Sequence, residues 1–564
     1  MTWVSVAGVE FPDRVDRELR ERWVERGWCP GRGLYELFAE RVAADGARVA
    51  VVDRGGELSY AELGRRVRGL AAGLAARGVR PGSVVGVKVP ADRRALVVDL
   101  AVAALGAVVL PCTPGHGRRD LLAVWGTARV DAVVTAPEWK ALVDGLRPEL
   151  PDLHEVVVLD EDPWPERDGW RPAAVDPEAP ARILLSSGSE AAPKLVAYSH
   201  NALAGGRGRY VERVLETADG APPRVLLLVS PATAYGSLAV VALVRCGATV
   251  LLPPGGERFD PAGALAAVGR WRPTHLAAVP TMLRRMAERP PAPGEDLSSL
   301  QAVVSSAAAL SPAVLGAALR RFGCPVVNVY GASDGLNCHA RWDDPDGDVL
   351  RVGRPDPRVA EFRVCGPDGR PVPAGVPGEL QARGPMSPLC HVGEPELDAR
   401  LRVDGGWVRS GDRGVLEADG SLRVLARIRQ TVNRGGVSIS TAEVEQLLEG
   451  HPEVAEAVCV PVPDPDLGER MCVCAVPRGA GLELAELTLF LAELCGLERY
   501  KLPERLVVLE RLPVGASGKP DRRVIAELAA AAVRDAGAAA DGAAEDGAAG
   551  GGAAGGGAVG VAAG

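Results

Sequence analysis

VNVYGASDG, residues 327–335, starts as an apolar strand and ends in a small polar turn carrying an aromatic ring, a hydroxyl and a carboxylate. In open α/β sheets ligands collect at the C-terminal ends of strands, where a ring such as Tyr330 can stack on a base. A carboxylate beside a polyphosphate is useful only with a cation between them, so Asp334 points to Mg²⁺. Ser333 or Asp334 would also serve well as a helix N-cap. Taken alone, the stretch leaves both readings open.

The flanking sequence supports the sheet. Up to about residue 425, short β-branched runs alternate with Ala/Leu-rich stretches: VVGVKVP (84–90), ALVVDLAVAALGAVVLP (95–111), RVLLLVSP (224–231), VVALVRCGATVLLPP (240–254) and THLAAVPTML (274–283). This alternation predicts an α/β fold with largely parallel sheets. Between 350 and 425 the pattern changes to short strands with Gly/Pro turns, read as a small barrel-like part of a large domain, 1–428. A smaller α+β domain, 429–528, follows, with a helix at STAEVEQLLEGH and strands at AVCVPVP and MCVCAVP. From 529 to 564 the chain is Ala/Gly-rich with nothing large to bury, and is expected to be a disordered tail.

Composition narrows the class. A chain of 564 residues, 47% apolar and 24% charged, is that of a soluble globular protein of at least two domains. A net charge of -9 gives no reason to expect nucleic acid or an anionic membrane as partner. No apolar run is long enough to span a bilayer, and the N-terminus turns charged too soon for a signal peptide. The eleven cysteines include no CxxC pair, so a reducing cytoplasm is expected. Only five of 64 basic residues are lysine: Lys88, Lys140, Lys194, Lys501 and Lys519. In an arginine-rich chain, a retained lysine suggests a task for a compact ammonium.

Three further stretches carry chemistry. LLSSGSEAAPKLVAYSH (184–200) runs from a strand into Ser186-Ser187-Gly188-Ser189, whose N–H and hydroxyl groups can face oxyanions, with Lys194 close behind. A plain polar turn before Pro193 explains it equally well. WVRSGDRGVLEADGSLRVLARIRQTVNRGG (407–436) places Asp412 in a Ser-Gly-Asp turn, where a carboxylate can take two ribose hydroxyls. It also places Arg427 at a strand end and glycines at 435–436 that let something thin approach. YKLPERLVVLERLPVGASGKPDRR (500–523) sets Lys519 in an unobstructed small-residue loop.

In this order and company, the four stretches resemble the adenylate-forming enzymes, over about residues 15 to 528. Stand-alone aryl-acid ligases of the dihydroxybenzoate-AMP ligase and aryl-CoA ligase type share the flavour of ELSYAEL, PKL and VNRGG in this chain. The resemblance implies two half-reactions: a carboxylate attacks the α-phosphate of ATP to give an acyl-adenylate, and a thiol then displaces AMP. It implies that Ser186, Ser187, Gly188, Ser189 and Lys194 hold the β- and γ-phosphates. Tyr330 and Gly331 would form the adenine wall, Ser333 would lie near the α-phosphate and Asp334 would meet Mg²⁺. Asp412 and Arg427 would take the ribose, and Lys519 would bridge carboxylate and α-phosphate. Arg429 would be the hinge for a swing of the small domain, and Arg434, Gly435 and Gly436 would line a pantetheine channel.

Several positions depart from the family pattern. Glu190-Ala191 replaces Thr-Gly in the phosphate loop, Ser306-Ala307-Ala308 stands where Gly-Gly-Ala is common, and Asp334 is a methylene shorter than the usual Glu. A carboxylate ~4 Å from a phosphate charge would cost roughly 1 kcal/mol in water and about 4 kcal/mol at an effective dielectric of 20. Glu190 therefore predicts weaker ATP binding rather than inactivity. Ala234 and Tyr235 replace the His-Asn pair of dihydroxybenzoate ligases. With Ser306, Ala307 and Ala308 they imply an enlarged apolar pocket suited to a substituted or bicyclic aryl acid, such as a naphthoate. The expected acceptor is CoA. The phosphopantetheine of a carrier protein is the alternative, and a non-catalytic adenylate-binding homologue is a third reading, which Lys519, Asp412, Arg427 and Asp334 oppose.

Overall fold

A computed structural model of the chain describes residues 1–160, 164–167, 169–186, 194–254, 259–428, 431–434, 437–464, 467–479, 481–515, 519–546 and 559–560. It divides into two compact units. The larger comprises residues 1–310, 314–410 and 414–424, and the smaller comprises 311–313, 411–413 and 425–564.

The larger unit is α/β, with two mixed sheets whose centres are parallel. The first runs Cys390–His391, Lys194–Ser199, Pro180–Ser186, Val108–Pro111, Val84–Lys88, Ala132–Thr135, Glu155–Val158. The second runs Leu336–Trp342, Val326–Ala332, Ala302–Ser305, His275–Ala278, Arg224–Leu227, Thr249–Leu251, Val49–Asp53, Gly56–Ser59. Their central strands are buried throughout (AVVT, AVVS, VVGVK), as strands covered by helices on both faces require. The β-branched run 95–111 divides into a helix, Arg93–Ala104, and a strand, Val108–Pro111. Gly106 at φ +64° makes the turn between them, a conformation a Cβ would strain. Run 240–254 divides in the same way at Gly247, φ +59°. Periodicity alone does not separate a buried helix from a buried strand, and the glycine is the local signal that does. The expected β-rich part is a sheet built from Glu361–Cys365, Gly378–Arg383, Trp407–Leu416, Arg402–Val403 and Leu422–Arg427.

Lysine scarcity has a structural explanation at one position. Lys88 is fully buried and its Nζ donates to the carbonyls of Thr113, Pro114 and His116 at 3.2, 3.1 and 2.8 Å. Three acceptors around one point suit an ammonium better than a planar fork. All eleven cysteines are free, and nine are buried.

The smaller unit is an α+β layer. The helix Thr441–Leu448 is capped by Ser440, whose hydroxyl accepts from Glu443 N at 3.4 Å. The long antiparallel pair Val454–Asp464 and Gly468–Pro477 forms its core, with Arg505–Val508 parallel beside it. The tail expected to be disordered from 529 is helical in its first part. Helix Arg522–Asp546 runs through it, and Ile525, Ala529 and Ala532 pack on Val458, Cys472 and Val507. Their i, i+4, i+7 spacing places three small or apolar groups on one face, and alanine favours helix more than any other residue. Val559–Gly560 pairs alongside Val507–Val508.

Candidate active site

In the larger unit the polar groups gather where the two sheets present their strand ends. Val326–Ala332 does not lead into a helix. It turns at Gly335, φ +90°, and returns antiparallel as Leu336–Trp342. The helix-cap reading of Ser333 and Asp334 is thereby replaced by a hairpin tip. The tip is pinned twice. Tyr198 donates its hydroxyl to Ser333 O at 2.9 Å, and a Cβ on Gly335 would lie 2.8 Å from Pro388 Cδ and 2.9 Å from Met386 O. Tyr330 stands 6.4 Å from the Phe362 ring, while Gly331 is exposed. A Cβ on Gly331 would come within 2.5 Å of Asn337 Nδ2, so this flat surface depends on the glycine.

Lys194 begins the strand that pairs antiparallel with Pro180–Ser186, with Lys194 opposite Ser186. The intended phosphate loop, 187–193, lies between these two strands in sequence and outside the described residues. Ser187, Gly188, Ser189 and Glu190 lie outside the described residues, as does the Ser186 side chain. Lys194 acts on Asp334 across this corner. Burial alone would raise the Asp334 carboxyl, but His391, Arg402 and Lys194 outweigh it and hold the group below its usual range. An ionised carboxylate whose side chain is 17% exposed fits a magnesium–nucleotide complex.

Behind Asp334 lies a group that no linear motif announces. His391 Nε2 is 2.8 Å from Asp334 Oδ1, and its Nδ1 is 2.7 Å from Asp398 Oδ1. Asp398 is held in turn by Arg402 Nε at 3.2 Å and Arg14 Nε at 3.3 Å. Burial would lower the His391 pKa, and the two carboxylates reverse this and raise it.

Of the residues expected to line the acid pocket, Tyr235 donates its hydroxyl to Val304 O at 3.0 Å and so brings 234–235 to the strand end preceding Ser306. Ser306 is buried, with its hydroxyl 3.4 Å from Val329 O, and Ala308 is exposed. Ala307 has φ +72°, which costs a residue with a Cβ roughly 1–2 kcal/mol. That explains why glycine is usual here: the chain keeps the strained turn without the residue that relaxes it. Arg207 reaches the same segment. Its Nη2 donates to Ala234 O and, at 2.8 Å, to Ser237 Oγ, while Nε is sealed without an acceptor. No carboxylate is paired with Arg207 among the described residues, and burial lowers its pKa.

In the smaller unit, Asp412 is not in a turn. It lies on the strand Trp407–Leu416, after a local distortion at Gly411, φ +70°. It is 2% exposed and pairs with Arg427 Nε at 2.8 Å. Lys519 follows residues outside the description, 516–518, and its carbonyl accepts from Gly515 N at 2.8 Å. Burial, then the neighbouring Arg427 guanidinium, push its pKa down to about 8. Arg434 is tied to Glu504 Oε1 at 2.5 Å and Tyr500 O at 2.6 Å. Arg429, Gly435 and Gly436 lie outside the described residues.

Fold and local chemistry together define an adenylate-forming enzyme. The chain belongs to the AMP-binding enzyme family, which matches residues 38–388, with the AMP-binding enzyme C-terminal domain at 443–519. Among relatives, Triostin synthetase I of Streptomyces triostinicus is 32% identical, over 93% of this chain and 99% of its own. The 2-hydroxy-7-methoxy-5-methyl-1-naphthoate–CoA ligase of Streptomyces carzinostaticus is also 32% identical, over 92% and 96%. Amide bond synthetase McbA of Marinactinospora thermotolerans matches in structure with a TM-score of 0.75 at 29% identity, covering 86% of this chain and 98% of that one.

Proposed function

We propose that this protein activates an aryl carboxylic acid with ATP and passes the acyl group to the thiol of CoA. The observation that carries the reading is the presence of charged groups suited to a nucleotide in each of the two units. The larger unit holds Asp334 ionised beside Lys194, with Tyr330 on the strand leading to it, and the smaller unit holds Lys519 beside Arg427, which pairs with Asp412.

In adenylation, a carboxylate oxygen of the acid attacks the α-phosphorus, and the bond from that phosphorus to the bridging oxygen of pyrophosphate breaks. Nucleophile and electrophile are both anionic, so orientation and positive charge supply most of the acceleration. Lys519 would provide charge at the α-phosphate, Lys194 at the departing phosphates, and Tyr330 a face for adenine. Asp334 would hold the divalent cation, which neutralises phosphate charge when bound. In the second step the CoA thiolate attacks the acyl carbon and AMP leaves, taking the electron pair of the acyl–oxygen bond.

An aromatic acid is favoured by the small residues at Ala234, Ala307 and Ala308. The 2-hydroxy-naphthoate named for the Streptomyces carzinostaticus relative suggests the class. Arg207 suggests an oxygen-bearing ring, because a buried cation with no carboxylate paired to it among the described residues gains most from an acceptor on the ligand. The test is pyrophosphate release across a panel of benzoates, naphthoates, acetate and a long fatty acid, followed by CoA or a phosphopantetheinylated carrier. Hydroxynaphthoate-dependent release, abolished in Lys519→Ala and completed by CoA, is the expected result. A best substrate of acetate or fatty acid overturns the acid class, and transfer to the carrier alone overturns the acceptor.

A further inference from the structure

His391 belongs to a two-residue edge strand, Cys390–His391, paired antiparallel to the strand that begins at Lys194, with His391 opposite Val196. Backbone bonds from Leu389 N to Ala197 O and from Val392 N to Leu195 O, both 2.8 Å, fix it there. One oxygen of Asp398 accepts from the His391 backbone N at 3.0 Å and lies 2.7 Å from ring Nδ1. The ring therefore has one orientation, and its other nitrogen lies against Asp334. The His391 side chain is 0% exposed, so it cannot itself meet a nucleotide, whereas the Asp334 side chain is 17% exposed. Asp334 Oδ1 is the sealed oxygen, and the N–H of His391 is not fully aligned with it despite the 2.8 Å approach.

We propose that His391, locked by Asp398, is a positioning residue that holds the inner oxygen of Asp334 and turns the outer side of that carboxylate toward the nucleotide's divalent cation. The inference rests on the reading of Asp334 as the cation's carboxylate. It also accounts for the shortened side chain: a carboxylate with less reach tolerates less freedom, and a buried imidazole behind it removes that freedom. Groups that orient a metal ligand without touching the metal commonly contribute about 10- to 100-fold in metal affinity.

The probe is Mn²⁺, followed by electron paramagnetic resonance as it titrates the full chain with a non-hydrolysable ATP analogue. In His391→Phe, Mn²⁺ affinity of the nucleotide complex should fall about tenfold, with affinity for the metal-free nucleotide unchanged. Asp398→Asn should shift it the same way by less. Unchanged Mn²⁺ affinity in a folded His391→Phe overturns the proposal, as does an equal loss of metal-free nucleotide binding, the mark of a merely structural role. A directly bound imidazole nitrogen in the wild-type spectrum, which needs no variant, also overturns it by making His391 a ligand. Absence of any Mn²⁺ binding in the wild type overturns the underlying reading of Asp334, and is distinct from a normal wild type with an unaffected variant.

Discussion

Asp334 in the larger unit is surrounded by cations, His391, Arg402 and Lys194, whereas Lys519 in the smaller unit has another cation, Arg427, beside it. Both groups are partly withdrawn from water, and burial disfavours charge on each. For Asp334 the neighbours reverse that penalty and the carboxylate stays ionised. For Lys519 they add to it, and the ammonium is held near the edge of losing its proton. One region is compensated in advance, and the other holds a positive charge that an incoming anion would stabilise. On the reading proposed above, polyphosphate is such an anion.

The sharpest way to break this comparison is to remove the uncompensated charge. Lys519→Ala should reduce adenylation, read as acid-dependent pyrophosphate release, by about 10²–10³-fold. Transfer from supplied acyl-adenylate to CoA should be far less affected. Equal loss in both steps would show that Lys519 does not serve adenylation selectively. Next, Asp412→Ala removes the carboxylate paired with Arg427 and should raise the ATP KM about 10- to 100-fold, as loss of charge-assisted hydrogen bonds does. An unchanged ATP KM would remove Asp412 from the nucleotide site.

A third prediction concerns pH. Lys519, with its pKa lowered to about 8, is charged below that value and neutral above it. Adenylation should therefore be sustained at pH 7 and fall as pH rises through about 8, while Lys519→Ala should lose this limb. Bound phosphate raises the pKa of an adjacent ammonium, so at saturating ATP the limb should move to higher pH. A limb that persists in Lys519→Ala belongs to another group. Fourth, Arg207→Met should weaken selection of a ring hydroxyl about tenfold, the worth of one charge-assisted hydrogen bond, measured as the kcat/KM ratio of hydroxynaphthoate to naphthoate. The ATP KM should not change. The smallest effect is expected for Glu190→Thr, a few-fold decrease in ATP KM from relief of like-charge repulsion, with the acid KM constant.

The α/β class and the place of Tyr330–Asp334 at a strand end were legible because each depends on contiguous residues. An apolar strand, an aromatic and an acid in one nonapeptide need no distant partner to be read. Asp412 and Arg427 were legible as polar groups close in sequence, but not their ion pair, which depends on adjoining strands. His391 and Asp398 had no such signal. CHVGEPELD looks like a loop, and only its addition to the edge of a distant strand brings the imidazole to Asp334. Arg207 was hidden among many arginines, and its burial, not its identity, sets it apart. The helix over residues 529–546 was misread because alanine's lack of bulk was weighed above its helix propensity, although Ala529 and Ala532 are small enough to pack closely on the sheet.

The free cysteines bear on how such a chemistry stays clean. Burial pushes the thiols of Cys29, Cys112, Cys246, Cys338 and Cys390 up to about 12. An adenylate-forming enzyme generates an activated acyl group that its own thiols could intercept. Holding these five sulfurs protonated withholds the thiolate, the only form that attacks an activated carbonyl readily. The packing that builds the core is the same packing that raises these thiols.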